Sequence, residues 1–211
     1  MSARDRILER IAASRSVANP VDIEAHIQHH PRGPVPEIEQ DRIARFKNRA
    51  GKLSSDVIEV GHLDEVPGAV ATYLQVRHLP MQAVCWSTFY NLDWASAGLA
   101  VAARKAAGQD MVGITGVFCG IAETGTLMLL SGPDTAASIS LLPETHVAIL
   151  STERIVNNME DAWALLREEK GQLPRAVNFI SGPSRTADIE QTVTLGAHGP
   201  YRVLIILVGA S

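Results

Sequence analysis

The run Val203-Leu204-Ile205-Ile206-Leu207 is the strongest constraint on this chain, because no polar residue interrupts it. A strand with one wet face alternates apolar and polar side chains. An unbroken apolar run is how a strand covered on both faces reads. Val177-Asn178-Phe179-Ile180 also lacks clean alternation. Further strands are predicted at 57–60, 81–86, 112–115, 146–150 and 176–180, and across 121–130 with breaks at glycines. Helices are predicted between them. Val70, Tyr73, Leu74 and Arg77 share one face of residues 66–77, residues 92–107 are rich in alanine, and Met159–Lys170 stops at Gly171 with Pro174 beyond. Strands alternating with helices predict an α/β fold with a mostly parallel sheet flanked by helices. Ligands of such sheets sit beyond the carboxyl ends of the strands, which is where a site is expected here.

Ahead of this pattern lies a different kind of segment. Ile7, Leu8, Ile11 and Ala12 repeat at helical spacing within residues 4–14. The stretch His29-His30-Pro31-Arg32-Gly33-Pro34-Val35-Pro36 then excludes helix and reads as an extended linker. A second helical stretch, 37–53, carries Ile38, Ile43, Phe46 and Leu53. The expected division is therefore an N-terminal helical arm and Pro-rich linker over 1–50, and an α/β domain over 51–211.

Composition narrows the function classes. With 46% hydrophobic and 20% charged residues the 211-residue chain reads as an ordinary globular protein. A net charge of -4 argues against nonspecific nucleic-acid binding. The two cysteines, Cys85 and Cys119, cannot form a secreted disulfide scaffold, nor the four-thiolate set of an iron–sulfur cluster. Charges interrupt every apolar pair near Met1, and 203–208 is far too short to span a bilayer, so a cytoplasmic chain with no signal peptide and no membrane span is expected. His26, His29 and His30 lack the spacing of a metal site, and no metal is assigned.

Three stretches carry groups able to do chemistry. In Ile121-Ala122-Glu123-Thr124-Gly125-Thr126 a carboxylate ends an apolar strand before a tight turn, where Gly125 permits positive φ and exposes backbone N–H groups. At a pocket rim Glu123 can serve as general base, carboxylate nucleophile or hydroxyl anchor; the alternative is a hairpin glutamate facing solvent. In Ser181-Gly182-Pro183-Ser184-Arg185-Thr186-Ala187-Asp188 a turn follows a strand. Ser184 or Thr186 can cap a following helix, and its N–H groups with Arg185 can converge on a carboxylate or phosphate. Plain capping, with Asp188 favourable near the helix start, is the alternative. In Gly196-Ala197-His198-Gly199-Pro200 a histidine between glycines can shuttle a proton, or be a turn residue without a role. Ser131-Gly132-Pro133-Asp134-Thr135 echoes the second stretch and predicts two equivalent loops on one sheet edge.

These segments, with Gly113-Ile114-Thr115-Gly116 and Leu142-Pro143 before His146, resemble the LUD-domain family, and within it the small subunit of the lactate utilisation system. The resemblance covers roughly residues 50–211, and the arm more loosely. It implies a domain similar to the ribose-5-phosphate isomerase, glucosamine-6-phosphate deaminase and CoA-transferase fold. It implies membership of a three-protein bacterial system oxidising L-lactate to pyruvate, with the iron–sulfur clusters in two partner proteins and none in this chain. Placed on that fold, Arg185 and helix N–H groups would hold a carboxylate beside Thr124, Gly125, Thr126, Ser181, Gly182, Ser184, Thr186 and Asp188, and Glu123 or His198 would take the hydroxyl proton. Two other readings stand beside this one: a non-catalytic assembly protein whose arm docks the partners, and an enzyme of folate cyclo-ligase or isomerase type binding a small phosphate or carboxylate.

Overall fold

The structure, a computed structural model, describes residues 2–14, 20–29, 33–34, 41–187, 193–195 and 199–209. The chain forms two units, Met1–Pro36 and Glu37–Ser211. The first holds helices α1 (Ala3–Ser14) and α2 (Pro20–His29). On α1 the stripe Ile7, Leu8 and Ile11 is exposed. Helix α2 falls in a stretch that the sequence punctuates with Asn19-Pro20; proline at the first helical position needs no N–H partner and starts a helix rather than breaking one.

The second unit begins with α3 (Arg42–Lys52), whose first turn is capped by Asp41 accepting from the Ile43 N–H at 3.0 Å. The sequence pattern assigns this helix to the arm. Its Phe46 and Ala50 are fully buried in the α/β core. There follow β1 (Asp56–Val60), α4 (Val66–Val76), β2 (Gln82–Cys85), β3 (Ala100–Ala103), β4 (Val112–Gly116), β5 (Cys119–Ile121), β6 (Thr126–Leu130), the single-turn α5 (Ser138–Leu141), β7 (Thr145–Ser151), β8 (Ile155–Val156), α6 (Met159–Lys170), β9 (Val177–Ile180), β10 (Arg185–Ala187), β11 (Val193–Leu195) and β12 (Arg202–Val208).

Six strands make one parallel sheet in the order β1-β12-β7-β4-β2-β3. Strand β12 lies between β1 and β7, which accounts for its apolar run. Leu204, Ile206 and Val208 pack with Val70, Tyr73 and Leu74 of α4 on one face. Val203, Ile205 and Leu207 pack on the other face with Phe46 of α3 and with Leu127, Leu129 and Ile180 of a second sheet. This second sheet has the order β8-β5-β6-β9, and its outer face buries Cys119, Ile121 and Met128 under Ala162 and Leu166 of α6. The layers therefore run helix, parallel sheet, mixed sheet, helix.

Three expectations are corrected. Residues 92–107 form turns and the edge strand β3 rather than a helix. Gly98 has φ +76, the Leu99 N–H returns to the Trp94 carbonyl, and β3 then pairs with β2, so sheet pairing overrides the helix propensity of alanine. The segment after Ser181-Gly182-Pro183 enters strand β10, paired antiparallel to β11, so no helix starts at Ser184 or Thr186. The two Ser-Gly-Pro loops do not share an edge. They follow β6 and β9, which are antiparallel with Leu127 opposite Ile180 and Leu130 opposite Val177, so they leave from opposite ends of the sheet.

Candidate functional site

Glu123 sits in the turn between β5 and β6, half-buried, with its backbone N–H on the Asn157 carbonyl at 2.9 Å. Gly125 adopts φ +72 and lies against α3; a Cβ there would fall 2.3 Å from the Ala50 nitrogen. Gly182, φ +83, lies against the residue after that helix, where a Cβ would stand 2.2 Å from the Leu53 carbonyl oxygen. The two turns thus rest on the same end of α3. Hydroxyls join them: Thr124 donates to Thr126 at 2.8 Å, and Thr126 Oγ1 lies 2.8 Å from Ser181 Oγ. Arg185 donates to the Ser54 hydroxyl, and the Ser184 N–H donates to the Pro200 carbonyl at 2.9 Å. Glu123, Thr124, Gly125, Thr126, Ser181, Gly182, Ser184 and Arg185 therefore belong to one neighbourhood. Thr186 is placed only as a backbone position in β10. Asp188 and His198 lie outside the described residues.

This neighbourhood is at the amino edge of the parallel sheet, not the carboxyl edge expected. Leu53 and Ser54 lead into β1, and Pro200 leads into β12; the two strands run parallel, so their starts mark the same edge. Among the described residues Ser184 is followed by strand β10, so the helix N–H groups expected to cradle an anion are not supplied at Ser184 or Thr186. Positive charge comes from α3 instead. Arg42, Arg45, Lys47, Arg49 and Lys52 lie on that helix with no acidic residue among them. Lys47 pairs with Glu59, while Arg45, Asn48, Arg49 and Lys52 line a concavity of about 250 Å³. The Nε of Arg45 is buried with no hydrogen-bond partner among the described residues. Sequence reasoning misses this set because four of its members look like the solvated face of an amphipathic helix. The signal that could find it is the absence of any acid from residue 42 to residue 52.

His146, on β7, is fully buried beside β4. Its Nε2 is 2.8 Å from the Thr115 hydroxyl, and burial drives its pKa down to about 3. It is neutral and unreachable, which suits a structural place. Among the described residues no group of three or more His, Cys, Asp or Glu side chains is arranged to hold a metal ion. No helix among them is long and apolar enough to cross a membrane.

At the opposite, carboxyl edge the structure holds a larger cavity of about 540 Å³. Trp86 beyond β2, Gly116 at the end of β4 with Val117 and Phe118 beyond it, and Ser131 to Thr135 beyond β6 line it, with Lys170 at the end of α6. This is where ligands of parallel sheets are found. The sequence singles out none of these residues as a site, although the Ser131-Gly132-Pro133 echo points to the loop.

A parallel sheet backed by a mixed sheet and flanked by helices, with a basic polar corner at one edge and an aromatic cavity at the other, defines an α/β protein with a mostly parallel central sheet. The chain belongs to the LUD domain family, whose model matches residues 43–208. It is 44% identical over 103 residues to "Lactate utilization protein C" of Geobacillus sp. (strain WCH70), a match spanning 47% of this chain and 43% of that protein. The protein of the same name from Bacillus subtilis (strain 168) is 41% identical over 107 residues, 49% of this chain and 45% of its own length. These matches thus span less than half of those relatives. Its counterpart in Exiguobacterium sp. aligns almost end to end, 29% identical over 221 residues, covering 97% of this chain and 95% of that one. A crystal structure of a DUF162 family protein from Deinococcus radiodurans has the same fold, with a TM-score of 0.62 at 21% identity, covering 82% of this chain and all of that one.

Proposed function

We propose that this protein takes part in lactate utilisation, as a subunit of a cytoplasmic bacterial system that oxidises L-lactate to pyruvate with two iron–sulfur proteins. The names of its relatives support the general role, and the end-to-end alignment with one of them supports carrying it to the whole chain. The observation that carries a substrate site is the Thr126–Ser181 contact, because it holds the Glu123 turn and the Arg185 loop on the same basic end of α3. In this reading Arg185, Arg49 and Lys52 attract the lactate carboxylate, and Glu123 or His198 accepts the hydroxyl proton. The oxidation also releases the Cα proton, which the other of these two bases takes, and two electrons, which pass one at a time to the iron–sulfur clusters of the partners.

Calorimetry of the full chain with lactate and with pyruvate tests the site. Binding that is lost in Arg185→Ala supports it; equal, negligible heats in both forms remove it. Glu123→Gln then separates chemistry from assembly: growth on lactate is expected to fail while the complex still co-purifies. Binding of inorganic phosphate in place of lactate would favour an enzyme of the isomerase or cyclo-ligase kind.

The exposed Ile7, Leu8 and Ile11 stripe favours a second reading, in which the arm docks the partners and the chain serves assembly. Deleting residues 1–35 then abolishes co-purification. Complexes that survive the deletion exclude the arm as the docking element.

A further inference from the structure

The cavity at the carboxyl edge plays no part in the proposed function. Its aromatic members are held in place by bonds that point elsewhere. The Trp86 indole N–H donates to the Ala136 carbonyl at 3.2 Å, which fixes the ring. The carbonyl of Phe89 accepts from the Trp94 indole at 2.7 Å, and the Arg154 guanidinium lies 4.7 Å from the centre of the Phe118 ring. Gly116 completes the floor, since a Cβ there would lie 3.0 Å from the Phe89 ring and 3.5 Å from Trp86. Rigid aromatic walls order no side chains when a ligand enters, which lowers the entropic cost of binding.

Polar groups reach the same space. Ser131 and Thr135 are committed: the Ser131 hydroxyl accepts from the Ala176 N–H, and Thr135 donates to the Leu130 carbonyl, each at 2.8 Å. Thr88, Asp134 and Lys170 also line the cavity, and their side chains make no hydrogen bond or ion pair to other described residues. Asp134, which only accepts, and Lys170, which only donates, both line this aromatic cavity, and together they match a ring edge that carries both N–H and C=O.

From this we infer that the carboxyl-edge cavity is a second ligand site, distinct from the amino-edge corner, and takes a planar nitrogen heterocycle whose edge offers both N–H donors and carbonyl acceptors. A volume of about 540 Å³ accommodates a fused ring system of that kind. Stacking on Trp86, Phe89 and Phe118 supplies the affinity, and Asp134 with Lys170 reads the edge.

Riboflavin, whose ring has both edge types and whose fluorescence is quenched by stacking on tryptophan, is the probe. Titrating the full-length protein into riboflavin is expected to quench it saturably, with ribitol unable to compete. Asp134→Asn and Lys170→Gln, both exposed positions whose variants should melt like wild type, are each expected to weaken binding about tenfold, the loss of one charge-assisted hydrogen bond. Arg185→Ala is expected to leave it unchanged. Absence of quenching at millimolar protein, equal affinity in both cavity variants and wild type, or displacement by ribitol each overturns the proposal.

Discussion

Thr126 and Ser181 are 55 positions apart in the chain, yet their hydroxyl oxygens stand 2.8 Å from each other. The contact ties the hairpin after β5 to the loop after β9. Thr126 is buried, so losing the Ser181 hydroxyl leaves its own hydroxyl one partner short. A double-mutant cycle of Thr126→Val and Ser181→Ala, followed by urea unfolding, should therefore give a coupling of about 0.5–1.5 kcal/mol. Simple additivity would mean the two loops are not energetically joined.

Glycine is required at two of these turns for a reason the third does not share. Gly125 and Gly182 combine positive φ with backbone atoms of α3 and Leu53 within 2.3 and 2.2 Å of a Cβ. Gly171, φ +66, closes α6 with nothing within 4 Å. Gly171→Ala should thus cost about 1 kcal/mol, from the left-handed backbone alone. Gly125→Ala and Gly182→Ala should each cost more than about 3 kcal/mol, because backbone must move as well. Chemical denaturation of the three variants side by side checks the order.

The buried pair of His146 and Thr115 sets an acid limit on stability. The imidazole is neutral in the fold, with its pKa down to about 3, while in the unfolded chain it titrates near 6.5. The unfolded state therefore binds the proton first. The contribution is fully present above pH 6.5 and is lost as pH falls from there toward 3, by up to about 1.4 kcal/mol per pH unit. Unfolding free energies at pH 7.5, 6 and 5 should show this slope. Thr115→Val should lower stability by about 1–3 kcal/mol at neutral pH, since it strips the Nε2 of its partner while Nδ1 has none among the described residues.

Both cysteines should be silent toward thiol reagents in the native protein. Burial pushes Cys85 up to about 11 and Cys119 up to about 12. Neither carries thiolate at neutral pH, and neither can be approached. Labelling with a chromogenic disulfide at pH 8 is expected to be negligible in buffer and complete in urea. Fast labelling of either in buffer would contradict the packing of the two sheets.

The sheet was legible because its cause is local. Unbroken apolar runs such as 203–207 demand cover on both faces wherever they are placed, and their alternation with amphipathic stretches demands parallel pairing. The same logic failed at 92–107, where alanine favours helix but a turn through Trp94 and Gly98 delivers β3 to the open edge of β2. It failed again after Ser184, where a capping sequence opens a hairpin. In both places long-range pairing outweighed a local preference worth less than about 1 kcal/mol per residue.

Which residues carry polar and charged chemistry could be read from the chain, and so could the kinship of its motifs. Where they face could not. Antiparallel pairing of β6 and β9 sends two nearly identical Ser-Gly-Pro loops to opposite edges, one to the aromatic cavity and one to the basic corner of α3. Strand direction is a property of the whole sheet, fixed only when distant segments pair, and no tripeptide contains it.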